Sequence, residues 1–168
     1  MTFTQMRKVA LAGAVAAAVV ALAAQDAAGG PPWGPETPPF NIEVIFRDVT
    51  GGSGFGHVKF RQPNDGSKIV YLDTWVRGLA PDHEYRLQRA VDTILDGECT
   101  GAAWLTLGNG LEPRAITTDE RGTGRELLFR DLAAIPTGTQ FDIHFRVVDA
   151  ATQVPVLASG CYRFAVSQ

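Results

Sequence analysis

Apolar and polar residues alternate along most of the chain between residues 41 and 168. Clear examples are the runs 42–46, 70–76, 141–147 and 161–166. A period of two is the pattern of half-buried strands, because successive side chains point to opposite faces of a sheet. Turn sequences such as Asn64-Asp65-Gly66 separate the runs. The pattern predicts an all-β domain, either an antiparallel sandwich or a flattened barrel.

The first 24 residues follow a different pattern. Arg7 and Lys8 precede an almost unbroken apolar run over residues 9–24, in which Ala21-Leu22-Ala23 offers small residues for cleavage. That order is typical of a secretory signal peptide. The alternative is a membrane anchor, but the run is shorter than the roughly 20 residues that a spanning helix needs. We therefore expect a secreted or periplasmic protein with no membrane span after removal of the signal peptide.

The remaining chain divides into a short arm and one domain. Residues 25–40 are rich in proline and glycine, which is typical of a linker or extended arm, although Trp33 within it could dock on the domain. Residues 41–168 have the length of a single domain. Without residues 1–24 the chain has 13 basic and 18 acidic residues, a formal charge of −5. Such a mildly acidic chain has no electrostatic surface for nucleic acid.

Two cysteines, Cys99 and Cys161, follow the predicted signal peptide. In an oxidising compartment an even number of cysteines suggests a disulfide, and two cysteines allow only one intramolecular pairing. Two buried free thiols are the alternative.

The segment 76–88 has the sequence of a strand, a tight corner and a returning strand. Leu79, Pro81 and Tyr85 have the spacing of a tyrosine corner, in which the tyrosine hydroxyl is hydrogen-bonded to the backbone of the turn. In immunoglobulin-like folds one strand normally follows that corner, whereas more than eighty residues follow Tyr85 here, which counts against that fold.

The returning strand has a defined register. Alternation places Tyr85 and Leu87 in the core, and Arg86 and Gln88 on the outer face.

Several segments resemble, in the same order, parts of the copper/zinc superoxide dismutases. They are similar to an early strand, the turn before the copper-binding strand, the disulfide loop, a later turn and the last strand, at residues 56–62, 76–83, 97–102, 118–122 and 158–165. The resemblance implies an antiparallel Greek-key sandwich or flattened barrel of about eight strands, with one disulfide joining a long loop to the last strand. It also implies that His83 braces the turn.

The metal ligands of that family are missing from the matching positions. Arg86 and Gln88 replace the two histidines of the copper-binding strand, and residues 107–116 contain no histidine for zinc. The expected bridging histidine, late copper ligand and guiding arginine correspond to Leu105, Asp149 and Ala158. An arginine does not lose its proton to bind metal, and a glutamine amide is a poor ligand for copper. We therefore expect neither a metal ion nor another cofactor.

The sequence contains no nucleophile, phosphate-loop or zinc-protease motif, so it offers no catalytic residues. It favours an exported, non-enzymatic binding or structural module with an unidentified extracellular partner or ligand. Loops 92–103 and 107–113 are the candidate binding regions, because binding residues are often found on loops of a rigid scaffold. An enzyme of unrecognised class and a metal-handling protein remain alternatives.

Overall fold

The computed structural model describes residues 40–167. The regular secondary structure in this range consists of β-strands. The predicted signal peptide and nearly all of the predicted arm lie outside the described residues. None of the described residues forms a helix of the length and apolarity needed to cross a membrane. In chain order the strands are β1 (Phe40–Asp48), β2 (Phe55–Gln62), β3 (Ile69–Arg77), β4 (Glu84–Asp92), β5 (Leu105–Thr106), β6 (Gly108–Asn109), β7 (Glu112–Pro113), β8 (Ile116–Thr117), β9 (Gly124–Asp131), β10 (Gln140–Asp149), β11 (Pro155–Ser159) and β12 (Tyr162–Ala165). The predicted all-β class is confirmed.

The strands form one sheet that curves into a nearly closed barrel. Hydrogen-bonded neighbours follow the order β5-β4-β10-β11-β1-β2-β3-β9-β6-β7, and β12 pairs with β10. The short strand β8 pairs with β4, and the residue after it, Thr118, forms a bridge with Gly124 at the start of β9. The segment 116–118 therefore joins β4 to β9 at one end of the barrel.

The structure differs from the expectation in strand number and in one strand direction. The described residues form twelve strands, because the segment 105–117 contributes four strands of only two residues each. One of them, β6, pairs with β9 in parallel through Asn109 and Phe129. The strands are short because the segment turns back on itself within a few residues. The backbone is so close at this turn that a Cβ atom on Gly108 would lie 1.8 Å from the Glu112 carbonyl oxygen.

Side chains that point into the barrel form one hydrophobic core. Phe60 makes edge-to-face contacts with Phe145 and Phe164, with ring centroids 6.0 and 5.0 Å apart. Each such pair adds about 0.5–1.5 kcal/mol to the stabilisation from burial alone. The largest fully buried apolar side chains are Phe46, Phe145, Leu72, Leu87, Ile116, Leu128 and Leu157.

The register of β4 is as predicted, with one correction. Tyr85 and Leu87 are buried in the core, which confirms their predicted orientation. Gln88 lies on the opposite side of the strand from Leu87, but it is only 6% exposed instead of facing solvent. The reason is that β5 pairs with β4 at this position, which places the Thr106 side chain beside Gln88, and the Gln88 side-chain amide donates a hydrogen bond to the Thr106 hydroxyl.

The predicted disulfide between Cys99 and Cys161 is present, with Cα atoms 5.4 Å apart. It joins the loop 93–104, between β4 and β5, to the turn between β11 and β12. The same loop is held by Asp92, whose carboxylate accepts hydrogen bonds from the backbone N–H groups of Thr100 and Gly101, both at 2.9 Å. A disulfide is compatible with an oxidising, exported location.

A buried carboxylate fixes the loop at a second point. Asp142 is 1% exposed, accepts a hydrogen bond from the Gly97 N–H at 2.7 Å and forms a two-point ion pair with Arg163. The Arg163 hydrogen bonds, followed by that from Gly97, lower the pKa of Asp142. The loop 93–104 is therefore held by the disulfide and by backbone hydrogen bonds to the carboxylates of Asp92 and Asp142.

Removing the disulfide should destabilise the barrel strongly. We expect the double variant C99A/C161A to lose roughly 4 kcal/mol of unfolding free energy, because the bond closes a loop of 62 residues and restricts the unfolded chain. Urea denaturation of the wild type and the double variant measures the difference. Equal stabilities, or reactive thiols in the denatured, unreduced wild-type protein, would contradict the expectation.

Candidate functional site

The predicted corner forms the end of the barrel at which β4 begins. The Tyr85 hydroxyl accepts a hydrogen bond from the Ala80 N–H at 3.1 Å, and burial raises the pKa of Tyr85. The Thr118 hydroxyl donates to the Ala80 carbonyl oxygen at 2.7 Å. Leu79 packs against the core, whereas Pro81 is exposed at the tip of the turn. The corner is thus hydrogen-bonded to the segment that closes the barrel.

His83 connects the corner to the turn that follows β10. Its Nε2 atom lies 2.6 Å from Asp149 Oδ2, and its ring contacts that of Tyr85 at a centroid distance of 5.1 Å. The Thr152 N–H, followed by His83, lowers the pKa of Asp149 to about 2. These contacts make His83 and Asp149 part of the scaffold at this end of the molecule.

The tyrosine hydroxyl should contribute measurably to stability. We expect Tyr85→Phe to lose about 1 kcal/mol of unfolding free energy, the usual net value of one hydrogen bond. Tyr71→Phe is the matched control, because no hydrogen bond of the Tyr71 hydroxyl occurs among the described residues, and it should cost less than about 0.5 kcal/mol. Similar losses in the two variants under urea denaturation would show that the corner hydrogen bond is unimportant.

The Asp149 contacts should produce a pH-dependent contribution to stability. Its folded-state pKa of about 2 lies below the ordinary value of 3.8. The ionised carboxylate therefore stabilises the fold above about pH 4, and this contribution is lost as the pH falls towards 2. We expect Asp149→Asn to be less stable than the wild type at pH 7, and the difference in urea midpoint to shrink between pH 4 and pH 2.

Glu120→Gln, at an exposed position, is the control for that measurement and should show no such trend. A difference between wild type and Asp149→Asn that grows on acidification would contradict the assignment.

Of the positions compared above with metal ligands, Gln88 belongs to a hydrogen-bonded polar cluster on the outer face, whereas Asp149 is bonded to His83 at the corner. The Gln88 amide oxygen accepts a hydrogen bond from Arg146 Nε at 2.8 Å, and its amide group donates to Gln153 at 3.2 Å. The Arg146 guanidinium lies 4.0 Å from the centroid of the Trp104 ring. Within residues 40–167 no three side chains of the histidine, cysteine, aspartate and glutamate types are grouped so that they could hold a metal ion.

The two loops predicted to bind a partner lie in different environments. The loop 92–103 covers the outer face of β4 and exposes Ile94 and Leu95, at 72% and 40%. The loop 107–113 exposes Leu111 but turns Leu107 inward, where it is buried in the core. The second loop therefore contributes directly to the interior of the barrel.

An apolar cavity of about 160 Å³ lies inside the barrel. The residues that line it come from the far end of β4 and β9 and the beginning of β3 and β10, so it lies at the opposite end from the corner. The described lining residues are Phe60, Val70, Leu72, Arg89, Val91, Leu107, Arg130, Leu132, Ile135, Phe141, Ile143, Phe145 and Phe164. All of them except two arginines are apolar.

Arg89 and Arg130 are the two charged residues among those lining side chains. Arg89 follows Leu87 by two positions on β4, and Arg130 follows Leu128 by two positions on β9, so both point to the core side of the sheet. Arg130 pairs directly with Val70 of β3, another lining residue. The period-two pattern indicates this orientation, but the predicted register covered only residues 85–88 and assigned neither Arg89 nor Arg130 to the interior.

The two arginines lie near the ends of β4 and β9 that are not joined by the segment 116–118. The pairing of β4 with β5 ends at Arg89, and the pairing of β6 with β9 is limited to Phe129. Arg130 Nη1 donates a hydrogen bond to the Gly110 carbonyl oxygen at 3.1 Å. Burial, and then the positive charge of Arg130, lowers the pKa of Arg89. The charged groups thus lie close together beside an apolar interior.

No protein-family model matches the chain, and neither a curated protein nor a solved structure does.

Proposed function

We propose that this protein is an exported, non-enzymatic binding protein whose ligand site is the cavity at the open end of the barrel. The observation that carries the proposal is an apolar interior space with a small number of polar groups beside it, the usual composition of a small-molecule site. A dry cavity of about 150 Å³ accommodates a molecule the size of benzene, so the ligand would place a compact apolar group inside.

A binding role accounts for the chemistry of the lining better than catalysis does. The two ionisable lining residues are arginines, which keep their proton in proteins and so cannot act as general acids or bases. The remaining described lining residues are hydrocarbon side chains without a nucleophile. Such groups can select and hold a ligand, but they supply no proton transfer or covalent step.

We also propose that the barrel is a Greek-key domain of the superoxide dismutase type, used here without metal chemistry in the periplasm or extracellular space. Support comes from the order of the resembling segments and from a disulfide that joins the loop after β4 to the turn before β12. The cavity lies on the opposite side of the sheet from Arg86 and Gln88, so ligand binding would use a different surface from the metal site of that family.

Small apolar molecules should bind in the cavity. We expect toluene to shift the NMR signals of the cavity methyl groups, such as those of Val70, Leu107 and Leu132, in a saturable way. Val91→Phe places additional volume in the cavity and should weaken toluene binding by at least about tenfold.

Val49→Phe is the matched control, because Val49 is 47% exposed and is not a lining residue; its toluene affinity should equal that of the wild type. Absence of saturable shifts, or equal binding by Val91→Phe and wild type when both are folded, would contradict the cavity as the binding site.

A further inference from the structure

We propose that the cavity is selective for small amphipathic carboxylates, with the apolar part of the ligand in the barrel and its carboxylate beside Arg89 and Arg130. This inference rests on the proposed ligand-binding function and specifies its chemical class.

The charged side chains that line the cavity are both positive. Arg89 and Arg130 line the cavity together, and no acidic residue is among the described lining side chains. No described residue forms an ion pair or a side-chain hydrogen bond with Arg89. Two cations close together in a partly desolvated place oppose folding, because burial of an unpaired charge costs free energy. A bound anion would remove that cost.

The Arg130 guanidinium is held in place by a backbone contact. Its Nη1 atom is hydrogen-bonded to the Gly110 carbonyl oxygen, within the loop 107–113. This contact holds the guanidinium next to the single pairing of β6 with β9 at Phe129. The other N–H groups of the side chain remain available to a ligand. A planar guanidinium matches a carboxylate through two parallel hydrogen bonds, which are stronger than those between neutral groups.

The cavity also limits the size of the ligand. A cavity of about 160 Å³ fits one short alkyl chain or one aromatic ring. Because Arg130 already donates to a backbone carbonyl, Arg89 is the guanidinium free to form two parallel hydrogen bonds, and a planar carboxylate matches that arrangement. The ligand class is therefore a monocarboxylate with roughly five to eight carbon atoms, a size set by comparison with benzene.

The test compares hexanoate with 1-hexanol, which has the same chain and no charge, by titration of the mature exported protein and NMR detection of the cavity methyl groups. We expect hexanoate to bind at least about tenfold more tightly than hexanol, since a charge-assisted hydrogen bond pair is worth that much or more. Arg89→Gln should remove this preference while hexanol affinity is unchanged, and Arg89→Lys should retain part of it.

Arg86→Gln is the matched control, because Arg86 lies on the same strand but on the outer face, and it should behave as the wild type. Arg130→Gln should also reduce the preference for hexanoate. Circular dichroism of each variant checks that it is folded.

The outcomes separate the two proposals. Equal affinity for hexanoate and hexanol, or an unchanged preference in Arg89→Gln, would overturn carboxylate selectivity while the binding function stands. Tighter binding of hexyl phosphate than of hexanoate would overturn the choice of a carboxylate. If toluene, hexanol and hexanoate all fail to perturb the cavity methyl groups, both proposals are wrong.

Discussion

The alternation of side chains in a curved sheet is the constraint on which the rest of this structure depends. In a nearly closed barrel every second residue of a strand must point into the interior. On β4 this places Tyr85, Leu87, Arg89 and Val91 on one side, and a slip of one residue would bring Arg86 and Gln88 into the core instead. The buried tyrosine and leucine fix the register strongly, so the arginine two positions further on has no other direction to take.

The two ends of the barrel have different properties as a consequence. At the corner end, the segment 116–118 joins β4 to β9, and Tyr85, His83 and Asp149 hold the adjoining turns. At the other end the interior is lined by aromatic and aliphatic side chains that leave a cavity. The cavity is lined mainly by regular strands, and the opposite end of the barrel is held by these contacts. Such a site keeps its shape better than a site built from loops alone.

Much of the architecture could be predicted from the sequence, but the site could not. The period-two alternation predicted the long strands, and the even number of cysteines predicted the disulfide. The burial of Gln88 and the parallel pairing of β6 with β9 arise from the two-residue strands within 105–117. The sequence of this segment has no period-two alternation from which such strands could be predicted. The proximity of Arg89 and Arg130 depends on pairing between distant strands. The resemblance to the superoxide dismutases concerns the outer face of β4 and predicts nothing about the interior.

The most direct test of this account is a crystal structure of the mature protein with bound hexanoate. We expect ligand density inside the barrel, with the hydrocarbon chain against Val91, Leu107 and Leu132 and the carboxylate within hydrogen-bond distance of the Arg89 guanidinium. Hexanoate bound on the outer face of the sheet, or in the cavity with its carboxylate directed away from both arginines, would contradict the account.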